Sequence, residues 1–217
     1  MKMSVRIAGK RILTVLAGLA ALAGILVITS CGAARPVSYY TLNSTPTPEP
    51  SVTVENDAPI PLTILVGRIT ASHLYLNDPI VYGNGGVEMG TYEYHRWMDV
   101  PTEMLETMLT QTLRDQGRFR SVGRIGSGAK GDYILRGHLY SLEEVDSPAI
   151  MARFSIELEL FQPKTGMVVW NQSYHQDEPV NQKNVTAVVE ALRREVVAGF
   201  NQLTTSLDTY LASRSTQ

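Results

Sequence analysis

In Phe154-Ser-Ile-Glu-Leu-Glu-Leu-Phe161 apolar and polar residues alternate without a break as far as Leu160. Phe154, Ile156, Leu158 and Leu160 fall on one side of an extended chain, and Ser155, Glu157 and Glu159 on the other. A period of two with one wet face is the signature of an antiparallel strand packed on a core from one side only. Pro163-Lys164-Thr165-Gly166 follows as a turn, and Met167–His175 returns as M-V-V-W-N-Q-S-Y-H, which predicts a hairpin. Upstream, Asp132–Leu142 contains D-Y-I-L-R-G-H-L and Leu62–Ile69 reads L-T-I-L-V-G-R-I, both strands. Ile80–His95 folds back on itself around Gly83-Asn84-Gly85-Gly86, where glycine supplies positive φ, and predicts a second hairpin.

Two helices complete the pattern. Pro101 suits a first helical turn, with Asp99 or Val100 before it and Glu103 at the positive end of the dipole. Met104, Leu105, Met108, Leu109 and Leu113 recur at helical spacing, and Gly117 is the stop. A longer helix spans about 185–211, with a stripe of Val185, Val188, Val189, Leu192, Val196, Phe200, Leu203, Leu207 and Leu211. Two helices on a mostly antiparallel sheet make an α+β domain.

The amino terminus is of a different kind. Lys2, Arg6, Lys10 and Arg11 precede the apolar run Ile12–Ile28, then Thr29 and Ser30, then Cys31, the one cysteine among 217 residues. A charged start, an apolar middle and small residues at the end form an export signal. The apolar length lies near the lower limit of about 17–25 residues for a spanning helix, so a membrane anchor fits by length as well. Ile28-Thr29-Ser30-Cys31 resolves the choice: it resembles the lipobox of bacterial lipoprotein precursors, whose cysteine takes a diacylglyceryl group and becomes the new terminus. Gly32, not Asp, follows it, which leans toward the outer membrane in a diderm cell. The expected organisation is a signal peptide over 1–30; a lipidated terminus, short strand Ser38–Leu42 and Pro-rich linker over 31–61; and an α+β domain over 62–217. Whether Ser38–Leu42 joins the sheet is left open.

Loss of Met1–Ser30 leaves 15 Lys and Arg against 21 Asp and Glu, a net charge of −6. That balance opposes nucleic-acid binding, which rests on neutralising phosphates with basic side chains. Catalytic motifs do not assemble. Gly126-Ser-Gly-Ala-Lys-Gly131 has dinucleotide-loop spacing but precedes a strand, not a helix. Ser127-x-x-Lys130 and Lys164-Thr165-Gly166 echo penicillin-binding proteins, but the spacing is far too short and no S-D-N is present. His73, His95, His138 and His175 form no metal-ligand pair. No cofactor and no metal are expected. His95 and Arg96, in Tyr92-Glu-Tyr-His-Arg-Trp97, are the candidate partner contacts, since such residue types concentrate at interface hot spots.

The order of lipobox, Tyr39-Tyr40-Thr41-Leu42, Asp78-Pro79-Ile80-Val81, Arg96-Trp97, Pro101 and the Met/Leu helix resembles the ABC-type transport auxiliary lipoprotein family. Asp78 departs from it, where relatives often carry Arg. The resemblance implies a domain similar to the amino-terminal domain of TolB-like proteins. It also implies a non-enzymatic role beside an Mce-type lipid-binding protein and an ABC permease and ATPase in moving lipid across the envelope. A stand-alone structural or assembly lipoprotein is the alternative, with a periplasmic hydrolase behind it. Monomer and homo-oligomer both remain open.

Overall fold

The computed structural model describes residues 35–43, 59–146 and 148–215. The segment 1–30 expected as a signal peptide, Cys31 and residues 44–58 of the Pro-rich segment lie outside the described residues. Strands β1 (Ser38–Tyr40), β2 (Ile60–Ala71), β3 (Pro79–Gly83), β4 (Met89–Trp97), β5 (Phe119–Arg124), β6 (Tyr133–Asp146), β7 (Ile150–Gln162) and β8 (Met167–Pro179) form one sheet. Helix α1 is Pro101–Asp115 and helix α2 is Val185–Ser215. Among the described residues no helix is long and apolar enough to cross a membrane.

β6 organises the sheet because it is longer than the strands beside it. On one edge it pairs with β7 along its length, from Ile134↔Phe161 to Asp146↔Ile150. The other edge is shared end to end. β2 lies parallel along the first half (Ile64↔Tyr133 to Ala71↔Leu139) and β3 parallel along the second (Val81↔Glu143 to Gly83↔Val145). A short 3-10 turn, His73–Leu76, carries the chain from one to the other. The sheet is mixed. Its long ladders, β6–β7 and β7–β8, are antiparallel, as is the β3–β4 hairpin. β2 is parallel to both its neighbours.

The alternation in β7 holds residue by residue. Ala152, Phe154, Ile156, Leu158 and Leu160 are wholly buried, while Arg153, Ser155, Glu157 and Glu159 stay on the wetter face. Each large apolar side chain on that row stabilises the fold by about 1.5–3 kcal/mol relative to exposure. The helices supply the cover. In α1, Met104, Leu105, Leu109 and Leu113 are buried, with Val100 before the helix and Pro101 opening it. In α2 the whole predicted stripe from Val185 to Leu211 is buried. The two helices are joined by Gln116 Nε2 donating to Thr204 Oγ1 at 2.7 Å, and Arg118 near the end of α1 grips Asp208 of α2 at 3.0 Å.

Three features differ from the sequence reading or answer it. β5 had no counterpart there: Phe119-Arg-Ser-Val-Gly-Arg124 lacks an apolar alternation, and it is a strand because β2 offers it a parallel edge. β2 starts at Ile60, within the segment assigned to the linker. Ser38–Tyr40 does join the sheet, parallel to β4, and Leu42 just beyond it is fully buried. The compact unit accordingly runs from Val37, upstream of the boundary expected at 62.

Candidate functional site

His95 and Arg96 lie where β4 leaves regular pairing. Val81 faces Thr91 and Pro79 faces Arg96, so β4 takes five steps where β3 takes two. The surplus residues break the alternation, as bulges do. Tyr92 and His95 meet as a result, edge to face, with ring centroids 5.4 Å apart.

Both candidate contacts are held from within the molecule. Arg96 Nη1 donates to Asp78 Oδ1 at 3.0 Å and Oδ2 at 3.1 Å. The amide of Trp97 donates to the Asp78 carbonyl at 2.6 Å. Asp78 thus ties the start of β3 to the end of β4 twice, and Trp97 itself is buried in the core. His95 Nδ1 is hydrogen-bonded to the Tyr40 hydroxyl at 3.0 Å, which ties β4 to β1. Ring contacts continue from Tyr92 to Tyr82 at 4.9 Å.

Beside this edge, β6 carries two consecutive carboxylates, which the strand turns to opposite faces of the sheet. Tyr92 donates its hydroxyl to Glu144 Oε2 at 2.9 Å, and Tyr75 donates to Glu143 Oε2 at 2.6 Å. Burial pushes both phenols up, and the carboxylate that accepts each proton pushes them further. Burial also raises Glu144, against the Tyr92 hydrogen bond, with Asp146 adding repulsion. Glu143 lies 3.9 Å from Arg153, whose guanidinium makes a two-pronged pair with Asp177 at 2.8 and 2.7 Å. That hydrogen-bonded pair holds Asp177 below the usual carboxylate range despite partial burial. Such fork-to-carboxylate geometry is the strong form of the ion pair.

Ser127 and three of the histidines, the side chains a hydrolase would draw on, lie on four separate elements. Ser127 is in the glycine turn after β5, His95 in β4, His138 in β6 and His175 in β8. His138 Nδ1 bonds to Thr70 Oγ1 at 2.8 Å, and its ring stands against Tyr140. Gly126-Ser-Gly-Ala-Lys-Gly131 is a turn leading into β6. Among the described residues no group of three His, Cys, Asp or Glu is placed to hold a metal ion. The sequence reading singled out His95 and Arg96 but missed the partners that occupy them. Tyr40 comes from a strand 55 residues away; Asp78 was visible as an oddity before Pro79, without its role.

The family model for the ABC-type transport auxiliary lipoprotein component matches residues 40–204, from the end of β1 to within α2. The chain belongs to this family. Its envelope association and transport-auxiliary character follow at that level. Among curated proteins none matches. A solved structure from Xanthomonas campestris, assigned to the DUF330 family, is similar at 19% identity. It covers 82% of this chain and 99% of that one, with a TM-score of 0.67. A second, of an uncharacterized protein, covers 80% and 99% at 13% identity with a TM-score of 0.62. These likenesses establish the fold.

Proposed function

We propose that this chain is a lipid-anchored, non-enzymatic auxiliary component of an ABC/Mce-type transporter that moves lipid across the bacterial envelope. The family match over residues 40–204 carries the reading, because it takes in every strand of the sheet but most of β1, all of α1 and the larger part of α2. In this proposal residues 1–30 are a signal peptide, removed on export. Cys31 receives a diacylglyceryl group and is acylated at its new amino terminus. Multiple acyl chains give stable anchoring where one chain is marginal. Gly32 directs the product to the outer membrane, and the α+β domain stands in the periplasm, where it docks on an Mce-type partner.

The geometry supports docking over chemistry. Tyr40 and Asp78 each bond β4, and Tyr92 of β4 reaches across β3 to Glu144 of β6, so the candidate cluster is built for a fixed surface. A tagged full-length chain, extracted gently from its native membrane, is expected to bring down an Mce-type protein with its permease and ATPase. Recovery of the intact lipoprotein without any of them overturns the transporter reading in favour of a stand-alone envelope role.

A further inference from the structure

The β3–β4 hairpin ends in Gly83-Asn-Gly-Gly-Val-Glu-Met89. Gly85 has φ of +74°, which turns the chain and leaves the tip projecting. Val87 is completely exposed (105%), and Met89 and Tyr82 are exposed at 42% and 41%. Three large apolar side chains at one projecting turn mark a surface meant to meet something. Tyr82, Asn84, Glu88, Met89 and Asp146 also line a shallow recess of about 250 Å³.

The direction of the chain says what that is. β1 is parallel to β4, with Ser38 opposite His95. β1 therefore enters the sheet from the side on which the hairpin tip lies. Ser38 stands at the level of Pro79 and Ile80, and Gly83 is three to four residues further along β3. At about 3.3 Å per residue the turn begins roughly 10–13 Å beyond Ser38. Cys31 precedes Ser38 by seven residues, which span at most about 25 Å. The attachment point can lie level with the tip and little beyond it. The Pro-rich residues 44–58 add no reach, because they follow β1 in the chain. The turn between β7 and β8, at Lys164, is at the other end of β6, roughly 35 Å from the tip.

We propose that the hairpin tip is a second membrane contact, with Val87 and Met89 entering the headgroup region of the bilayer that holds the acyl chains. This deepens the function proposed above and rests on acylation of Cys31. The contact is apolar and not a charge attraction. Residues 82–95 contain no Lys or Arg, and Glu88 and Asp146 stand beside the tip. It therefore fits a zwitterionic phospholipid surface. The short tether supplies the high local concentration that lets so small an apolar patch engage.

The test uses the full chain, purified from membranes and reconstituted in phosphatidylcholine–phosphatidylethanolamine vesicles carrying a nitroxide lipid. Val87→Cys and, in a separate sample, Lys164→Cys are labelled with an environment-sensitive fluorophore; both sites are exposed turns, and the diacylglyceryl thioether blocks the Cys31 sulfur. At Val87→Cys quenching is expected to be several-fold stronger than at Lys164→Cys and unchanged by 0.5 M salt. Equal quenching, the reverse order, or quenching at Val87→Cys abolished by salt overturns the proposal. Mass spectrometry of the same samples separates the two readings. An unacylated Cys31 removes the anchor and this proposal with it, whereas acylated Cys31 with an unquenched Val87→Cys removes the hairpin contact alone.

Discussion

The β6–β7–β8 half of the sheet and the β1–β4–β3 edge are held together by different physics. In the first, long antiparallel ladders hold β7 so that every second side chain from Ala152 to Leu160 enters the core, with α2 as cover. Burial does the work there, and polar side chains face out. In the second, strands are short and one is bulged. Pairing is secured by side chains that reach across: Arg96 to Asp78, His95 to Tyr40, Tyr92 to Glu144. Apolar burial is large and indifferent to salt and pH. Polar ties are individually small, and they fix a shape.

Substitutions should therefore separate the halves by magnitude. Phe154→Ala opens a cavity between Tyr174 and Phe200, whose rings lie 5.9 and 6.3 Å from it. A loss of about 3–5 kcal/mol is expected, read as a shift in the denaturant midpoint. Gly199→Val is next. A Cβ at Gly199 would sit 2.7 Å from Tyr174 Cδ1 and 3.1 Å from Phe154, so α2 must lift from β8. Overpacking of this kind costs about 1–3 kcal/mol. Were either variant as stable as the parent, the claim that this half depends on close packing would fall.

Where the halves meet, Tyr75→Phe leaves the buried Glu143 carboxylate without its 2.6 Å donor. An unsatisfied buried acceptor costs about 1–3 kcal/mol. Restoring the loss by a second change, Glu143→Leu, would show that the penalty lies in the stranded charge and not in lost packing.

Two carboxylates of this region pull in opposite directions with pH. Asp177 is held below its ordinary 3.8, so its contribution is complete above that value and is lost as pH falls through the folded pKa. Glu144 is raised above its ordinary 4.5 by burial, so its contribution is complete below 4.5 and is lost as pH rises through the folded pKa. Glu144→Gln keeps an acceptor for Tyr92 and abolishes only the second slope. Denaturant midpoints from pH 3 to 7 should show the variant gaining on the parent above pH 4.5, with the acid limb unchanged.

What could be read in the residues follows the same division. Phe154–Leu160 and the α2 stripe announce themselves because periodicity is local, and burial obeys it. β5 does not, since Gly123 and two arginines leave no pattern and the strand exists only through β2. β1 is three residues long and parallel to a strand more than fifty positions away, which no local rule detects. His95 and Arg96 were recognisable as unusual residues in an aromatic stretch. Their occupation by Tyr40 and Asp78 was not, because a bulge re-aims side chains and leaves no mark in composition.

The smallest expected effect sharpens the contrast most. Arg96 and Asp78 are exposed at 33% and 45% of their side chains, so solvent screens their attraction. A double-mutant cycle with Arg96→Ala and Asp78→Ala should give a coupling of about 0.2–1 kcal/mol, falling as salt is raised. Loss of partner recovery in Arg96→Ala, with stability nearly intact, would mark Arg96 as a docking residue whose tie to Asp78 serves to hold it in position. A coupling well above 1 kcal/mol, insensitive to salt, would instead mean that this edge is as firmly built as the buried half, and the distinction between the two would fail.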